Sequence, residues 1–395
     1  MTYTISNKMN ALAPSAIREI LKATSQPGII PFAAGNPAPE AFPIEAVREI
    51  SARLLAERPI DCLQYSITEG YPGLRERVKA DLRQRLGMGT AGDALIVTSG
   101  AQQVMDLATK VLCNEGDCVV AETPSFIGSL NTFRSYGVRL RGVPLEADGM
   151  DVDALERVLQ EETNVRFIYT IPNYQNPGGV TLSPEKRRRV YELALRYGVL
   201  ILEDNPYGEL FYEGPPPPCV KSMDSEGIVI YAGSFSKILA PGIRVGYALA
   251  PQELIAKMTV GKQAGDVHST IFSQLLVDAW MADYDVAAHV ENIRAIYRGK
   301  RALMCGGLAP SVERGALRFE TPAGGIFLWC ALPERIDMLD FVKAALAKGV
   351  AVVPGAAFAV EAGEKLSAVR MNFSTPTDDQ LRRGVEVLNG VLAGW

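Results

Sequence analysis

Residues 234–244 carry the side chains best suited to chemistry. They include the hydroxyls of Ser234 and Ser236, the amine of Lys237 and the guanidinium of Arg244. Hydroxyls beside an arginine suit a phosphate, because arginine grips phosphate with paired, charge-assisted hydrogen bonds. An amine next to a phosphate site indicates a lysine that bonds covalently to a phosphorylated aldehyde. The alternative is a polar crossover loop with a solvated lysine, since lysines are mostly exposed.

Apolar runs on both sides of this stretch, at residues 228–231 and 245–250, predict buried strands. Further strands are predicted at 94–98, 118–121, 165–171 and 199–202. Helices are predicted at 101–112 and in a segment with Ser183 as cap, Pro184 in its first turn and Gly198 at its end. Alternating strands and helices predict an α/β fold with a mostly parallel sheet flanked by helices. The basic run at 186–189 is interpreted as the solvated face of that second helix.

Polar stretches follow the carboxyl ends of the predicted strands, at residues 99–102, 124–126, 173–176, 204–207 and 234–237. Open α/β sheets bind ligands at that edge. Ser99 and Gly100 open a helix, so the amides of Ala101 and Gln102 are expected to face an anion. The sequence has neither a P-loop nor a dinucleotide-binding fingerprint.

Four of these residues suit a flat, charged ring. Asp204 ends a very apolar strand and needs a partner, which a protonated ring nitrogen would provide; a helix cap is the alternative. Tyr207 and Asn176 can hydrogen-bond to a phenolic oxygen. Phe126 can cover the ring, although ordinary core packing is the alternative. Together these residues predict a site for pyridoxal 5′-phosphate.

The order and spacing of three motifs carry a family resemblance: Asn-Pro-Gly-Gly at 176–179, Asp204-x-x-Tyr207 and Ser234-x-Ser-Lys-x6-Arg244. Over nearly its whole length the chain resembles the fold-type I, pyridoxal-phosphate-dependent class I aminotransferases. Residues 68–75, 99–103 and 174–177 resemble the branch with 2-aminoadipate, kynurenine and aromatic aminotransferases, and the arm at 17–22 and 32–39 resembles bacterial 2-aminoadipate aminotransferases. The branch also includes effector domains of transcription regulators, whose N-terminal winged-helix domain is not expected here.

The resemblance implies roles for individual residues. Lys237 is expected to bind the cofactor covalently, Asp204 to pair with its pyridine nitrogen, Asn176 and Tyr207 to bind its phenolic oxygen, and Phe126 to stack on its ring. The expected catalytic residues are Lys237, Asp204 and Tyr207. The phosphate is expected to contact Ala101, Gln102, Ser234, Ser236 and Arg244.

The resemblance also implies substrate contacts and a partner. Arg370 is expected to hold the substrate's α-carboxylate, with Gly35 and Asn173 nearby. Tyr65 is expected to reach the phosphate of a neighbouring subunit, which implies a homodimer with shared active sites. Arg18 is expected to contact the distal carboxylate of an acidic substrate; a solvent-exposed arginine is the alternative for both Arg370 and Arg18.

Composition limits the remaining possibilities. The 395 residues carry a net charge of −5 without blocks of like charge, which argues against a nucleic-acid partner. No stretch resembles a membrane span or a signal peptide. The six cysteines are scattered, which indicates reduced thiols in the cytoplasm, and with only two histidines no metal site is expected.

The predicted organisation is an N-terminal arm (1–43) that packs with the small domain, a large cofactor-binding domain (44–284) and a small C-terminal α+β domain (285–395). The predicted function is transfer of the α-amino group of an L-amino acid (2-aminoadipate, glutamate, aromatic or aliphatic) to a 2-oxo acid, which we expect to be 2-oxoglutarate. The alternatives are a carbon–sulfur β-lyase on the same fold and a non-catalytic regulatory protein that keeps the cofactor pocket.

Overall fold

The computed structural model describes residues 3–10, 12 and 28–395. In them the strands are β1 (Asp93–Thr98), β2 (Cys118–Thr123), β3 (Arg139–Glu146), β4 (Gly149–Met150), β5 (Val165–Thr170), β6 (Leu200–Asp204), β7 (Val229–Ser234), β8 (Gly246–Pro251), β9 (Phe327–Ala331), β10 (Val353–Pro354) and β11 (Ala368–Asn372). The α-helices are Asn7–Asn10, Ile44–Glu57, Pro59–Leu63, Pro72–Leu86, Ala101–Leu112, Ile127–Ser135, Val152–Glu161, Pro184–Tyr197, Gln252–Asp266, Ile271–Asp283, Val286–Glu313, Met338–Ala347 and Asp378–Leu392.

Within this part of the chain, the large sheet has eight strands in the order β1-β8-β7-β6-β5-β2-β3-β4. The strands from β7 to β3 in this order run parallel, whereas β8 runs antiparallel to both β7 and β1. Helices bury their apolar faces against the sheet, as Ala101–Leu112 does with Val104, Met105 and Leu107. The predicted α/β fold with a mostly parallel sheet is confirmed. Because β8 is reversed, its amino end lies at the edge where the parallel strands end.

A smaller antiparallel sheet has the order β10-β11-β9. Residues that precede the first long helix pack along it: Ile30 forms a bridge with Val350, and the Asn372 amide donates to the carbonyl of Phe32 at 2.7 Å. The helix Val286–Glu313 runs alongside the C-terminal helix Asp378–Leu392. The predicted boundaries at 43 and 284 stay predictions.

The helix Pro184–Tyr197 has the predicted ends. The Ser183 hydroxyl accepts a hydrogen bond from the Lys186 amide, and Gly198 closes the helix in the left-handed region, at φ 65°. The interpretation of residues 186–189 as a solvated face is wrong for Arg187. This side chain is fully buried, and backbone carbonyls, including those of Leu182 and Pro172, accept its hydrogen bonds in place of water.

Candidate active site

A cavity of about 360 Å³ lies at the carboxyl edge of the large sheet, where the small sheet approaches it. The cavity brings together most of the site residues predicted from the sequence, namely Gly35, Ala101, Gln102, Phe126, Asn176, Asp204, Tyr207, Ser234, Ser236, Lys237, Arg244 and Arg370. Phe327 of β9 and Asn36 also border the cavity.

Lys237 follows β7 and reaches into the cavity. Its Nζ donates a hydrogen bond to the carbonyl of Gly35 at 2.6 Å. Burial lowers the pKa of the Lys237 amine to about 8, and the positive charges of Arg370 and Arg244 contribute to the shift. An appreciable fraction of this amine is therefore neutral near physiological pH, as a nucleophile or a base requires.

Asp204 is the last residue of β6 and is buried. Its Oδ2 accepts a hydrogen bond from the hydroxyl of Tyr169 at 2.8 Å, whereas its Oδ1 has no hydrogen-bond partner among the described residues. Burial raises the pKa of the Asp204 carboxyl to about 7, against the smaller lowering effect of Tyr169. A buried carboxylate with one free oxygen is best satisfied by a cationic partner in the cavity.

Asn176 connects two parts of the site. Its Oδ1 accepts from Nη1 of Arg370 at 3.0 Å, and its Nδ2 lies 3.5 Å from the hydroxyl of Tyr207. The contact with Arg370 fixes the orientation of the amide, so its NH2 group is directed toward Tyr207. Both groups can then donate to one oxygen atom in the cavity.

Arg370 lies on β11 with its guanidinium between two aromatic rings. The guanidinium carbon is 4.2 Å from the ring centroid of Phe327 and 5.0 Å from that of Phe358. Nη2 donates to the carbonyl of Ala33 at 2.9 Å, while the buried Nε has no partner among the described residues. Burial lowers the pKa of Arg370 to about 10, so the side chain stays charged and can bind an anion.

The opposite end of the cavity is suited to an anion. The turn at Gly100, with φ 77°, opens the helix Ala101–Leu112, and a Cβ on Gly246 would lie 2.7 Å from the Ala101 nitrogen. Nη2 of Arg244 donates to the carbonyl of Ser99 at 2.8 Å. Arg244 reaches this edge because it lies two residues before the start of the reversed strand β8. A helix N-terminus, an arginine and the hydroxyls after β7 together form an anion site.

Two of the predicted site residues that the structure describes, Asn173 and Tyr65, do not border the cavity. Asn173 is buried elsewhere, where its amide accepts from Arg187 at 2.6 Å and donates to Asn205 at 2.8 Å. Tyr65 is 82% exposed, and its ring lies edge-on to His268 at 5.8 Å. Arg18 lies outside the described residues.

The sequence reasoning missed polar groups that support the site, of which Ser129 also borders the cavity. Tyr169 on β5 and Ser129 connect to Asp204, and the buried Glu122 accepts hydrogen bonds from Thr170 and Gln175. Burial raises the pKa of Glu122 to about 7. Tyr169 falls within an apolar run and looks like a core residue, so only its position beside β6 reveals the contact.

Residues 3–10, 12 and 28–395 also bear on two other kinds of site. No group of acidic, histidine or cysteine side chains there has the arrangement of a metal site. In the same ranges, no helix combines the length and the apolar character needed to span a bilayer.

Comparisons with known proteins give the family. Residues 27–388 match the family described as aminotransferase class I and II. The chain is 38% identical to the aromatic-amino-acid aminotransferase 1 of Thermococcus litoralis over 387 residues, or 97% of this chain and 92% of that protein. Its structure resembles the kynurenine aminotransferase of Pyrococcus horikoshii in complex with PMP, with a TM-score of 0.93 and 36% identity over 99% of this chain and 97% of that chain.

A third similar protein is LysN, the α-aminoadipate aminotransferase of Thermus thermophilus, in complex with N-(5′-phosphopyridoxyl)-L-leucine. Its TM-score is 0.90 at 36% identity, over 99% of this chain and 97% of that chain. The fold and the cavity together define a fold-type I pyridoxal-phosphate enzyme. The chain belongs to the class I and II aminotransferase family, and it uses pyridoxal 5′-phosphate to transfer amino groups.

The residues around the cavity fit this cofactor. The free Oδ1 of Asp204 suits a protonated pyridine nitrogen, and the anion site at Ala101 suits the phosphate. The amine of Lys237 borders the same cavity, as covalent attachment to an aldehyde requires. Phe126 borders it too, where a ring would lie.

Proposed function

We propose that this aminotransferase accepts aromatic and aliphatic L-amino acids as well as glutamate and 2-aminoadipate, and that 2-oxoglutarate is its amino acceptor. The observation that carries the proposal is the set of charges in the cavity. Among the described residues that line it, the cations are Lys237, Arg244 and Arg370. The proposal assigns these to amine chemistry, phosphate and the α-carboxylate, which leaves mainly apolar walls, such as Ile127 and Phe327, for the substrate side chain.

In this proposal Lys237, Asp204 and Arg370 each have a separate role in the reaction. Pyridoxal phosphate, when bound, supplies a ring that takes up the electron pair released as the Cα–H bond breaks. Lys237 accepts the Cα proton and returns it to the cofactor side, a task for which a lowered pKa is suited. Asp204 holds a proton at the ring nitrogen through Oδ1. Arg370 binds the α-carboxylate and thereby turns the Cα–H bond toward Lys237.

The other roles in the proposal follow the family resemblance. Asn176 and Tyr207 donate to the ring's phenolic oxygen, Phe126 stacks on the ring, and Gly35 lies at the substrate end. Asn173, which does not border the cavity, has no substrate contact in this proposal. The phosphate is held by Ala101, Gln102, Ser234, Ser236 and Arg244, with Tyr65 contributed by a second subunit.

We further propose a cytoplasmic homodimer. The homodimer is supported by the exposure of Tyr65 outside its own cavity. The cytoplasm is supported by the six cysteines, which are all unpaired, since that compartment keeps thiols reduced. The proposed domain organisation is the arm at 1–43, the large domain at 44–284 and the small domain at 285–395.

The substrate range is tested by mixing the holoenzyme with each common L-amino acid in the absence of an acceptor. Conversion of the cofactor to its amine form is followed by absorbance, and the released 2-oxo acid is identified by mass spectrometry. We expect leucine, phenylalanine, glutamate and 2-aminoadipate to react. Failure of glutamate to yield 2-oxoglutarate would contradict the proposed acceptor, because the half-reactions are reversible.

Arg18 provides a prediction about acidic substrates. No described cation of the cavity remains for a distal carboxylate, so the proposal gives that contact to Arg18. A charge-assisted hydrogen bond of this kind contributes about ten- to a hundredfold in affinity. Arg18→Ala is expected to lower kcat/KM for glutamate and 2-aminoadipate by that factor and to leave leucine and phenylalanine nearly unchanged. An equal loss of kcat/KM for both substrate classes would mean that Arg18 does not contact the substrate's side chain.

A further inference from the structure

The two carboxylate oxygens of Asp204 have different surroundings. Oδ2 is held by the hydroxyl of Tyr169 at 2.8 Å, while Oδ1 is buried without a partner among the described residues. The residue also borders the cavity. One oxygen is therefore fixed from behind, and the other is left for a group inside the cavity.

The position of Tyr169 is set by the core. It lies on β5 beside β6, where it pairs in register with Leu202, two residues before Asp204. Its side chain is fully buried, and its ring packs edge-on against Phe133 at a centroid distance of 5.2 Å. Because close-packed rings do not swing freely, the hydroxyl is held at a defined point behind the carboxylate.

The hydroxyl of Ser129 completes the chain of hydrogen bonds. It is buried on the helix Ile127–Ser135 and lies 2.9 Å from the Tyr169 hydroxyl. A tyrosine hydroxyl has one hydrogen, and an ionised carboxylate only accepts. When Tyr169 donates to Asp204, Ser129 therefore donates to Tyr169, and each hydrogen bond polarises the next.

We infer that Ser129 and Tyr169 form a positioning relay that aims Oδ1 of Asp204 at the ring nitrogen of the cofactor. Tyr169 does not border the cavity, whereas Ser129 does. Tyr169 acts through Asp204 by fixing the rotation of the carboxylate and by stabilising its ionised form. The inference rests on the proposed role of Asp204. It makes the enzyme's preference for a ligand with a ring nitrogen depend on Tyr169 and Ser129 as well as on Asp204.

The test compares the binding of two ligands that need no covalent bond. One is pyridoxamine 5′-phosphate, and the other is its 1-deaza analogue, in which CH replaces the ring nitrogen. Dissociation constants are measured by fluorescence titration for the wild type, Tyr169→Phe, Ser129→Ala and Asp204→Asn. The wild type is expected to prefer the nitrogen-containing ligand by about tenfold or more, since a charge-assisted hydrogen bond is at stake.

Tyr169→Phe keeps the packed ring and removes only the hydroxyl. It is expected to reduce this preference toward the value of Asp204→Asn, while affinity for the deaza analogue changes by less than about twofold. Ser129→Ala is expected to reduce the preference partially, because it removes only the donor to Tyr169. This second variant keeps the inference testable if Tyr169→Phe folds poorly. Tyr297→Phe is the control, since it removes a buried tyrosine hydroxyl that accepts from the Ala38 amide instead.

Two results would overturn the relay. Either an unchanged preference in Tyr169→Phe or an equal loss of affinity for both ligands would show that Tyr169 only supports the core. A wild type without any preference, matched by Asp204→Asn, would instead refute the role of Asp204, and with it the relay. Failure of the relay alone is thus distinguishable from failure of the proposed function.

Discussion

At the scale of single residues, Asp204 and Lys237 show how one cavity shifts an acid and a base in opposite directions. Burial raises the pKa of Asp204 to about 7 and lowers that of Lys237 to about 8. Both shifts have the same cause, because burial disfavours the charged form of either group. Each group therefore changes protonation near neutrality and can respond to the charge of what binds beside it.

This burial predicts a pH-dependent stability of the apoprotein. The pKa of Asp204 in the folded protein lies above the ordinary value of 3.8, so the carboxyl's contribution to stability is fully present below about pH 4 and is lost as the pH rises through about 7. Asp204→Asn removes this titration. We therefore expect the wild type to lose stability relative to Asp204→Asn as the pH rises. The free energy of unfolding of the variant minus that of the wild type is expected to be about 2 kcal/mol larger at pH 8 than at pH 5.

The measurement is urea unfolding of both apoproteins at fixed protein concentration across this pH range. Asp379→Asn, at the exposed start of the C-terminal helix, controls for the loss of one carboxylate. A difference between Asp204→Asn and the wild type that stays constant with pH would show that Asp204 ionises in the fold without a penalty.

At the scale of elements, the anion site depends on a close backbone contact between β8 and the turn before Ala101. A Cβ on Gly246 would lie 2.6 Å from the carbonyl carbon of Gly100, closer than backbone atoms allow. Gly246→Ala is expected to displace this turn and to weaken binding of pyridoxamine 5′-phosphate by at least about tenfold, or ~1.4 kcal/mol. Affinity for pyridoxamine, which lacks the phosphate, is expected to change little.

Gly242→Ala is the matched control, because a Cβ at this position, in the segment just before β8, meets no atom within 4 Å. Both variants are compared by ligand titration and by thermal unfolding. If Gly246→Ala binds both ligands as the wild type does, the turn does not hold the phosphate.

The elements also show what the sequence reveals and what it hides. Strands β1, β2 and β5–β8 were predicted because strands buried on both faces form continuous apolar runs. β3 was missed because Val143 is its only fully buried residue. The polar site residues could be predicted because they lie at or just after the ends of these strands. The contact of Tyr169 with Asp204 could not, because it depends on β5 lying next to β6, and no local sequence pattern encodes the order of strands in a sheet.

At the scale of the whole molecule, the site joins two sheets. Lys237 and Asp204 follow or end strands of the large sheet, whereas Arg370 and Phe327 belong to the small one. Gly35, which accepts the hydrogen bond of Lys237, lies in the segment that packs along the small sheet. The two sides of the cavity are thus formed by residues of different sheets.

The proposed homodimer predicts complementation between two variants. Tyr65→Phe subunits and Lys237→Ala subunits are each expected to be nearly inactive. In a heterodimer, one site has Lys237 from the first subunit and Tyr65 from the second. Equal mixing with full exchange should restore about one quarter of the wild-type activity, because half of the dimers are mixed and each has one intact site.

Subunit exchange is verified by native mass spectrometry of differently tagged subunits. Absence of recovery, with exchange demonstrated and a severe Tyr65→Phe defect, would assign Tyr65 to its own subunit's site or to no site.

The reversed strand β8 has a consequence for the order of folding. β7 and β8 are joined by a short segment that contains Lys237, so their pairing closes a small loop, and the entropic cost of closure rises with loop length. Among the described strands, β1 pairs only with β8, from a position far earlier in the chain. We therefore expect the lysine-bearing hairpin to form early and to template β1. The turn before Ala101, which follows β1, is then expected to reach its position only after β1 pairs with β8. The proposed phosphate site would therefore form in two steps, first the pairing of β7 with β8 and then the addition of β1.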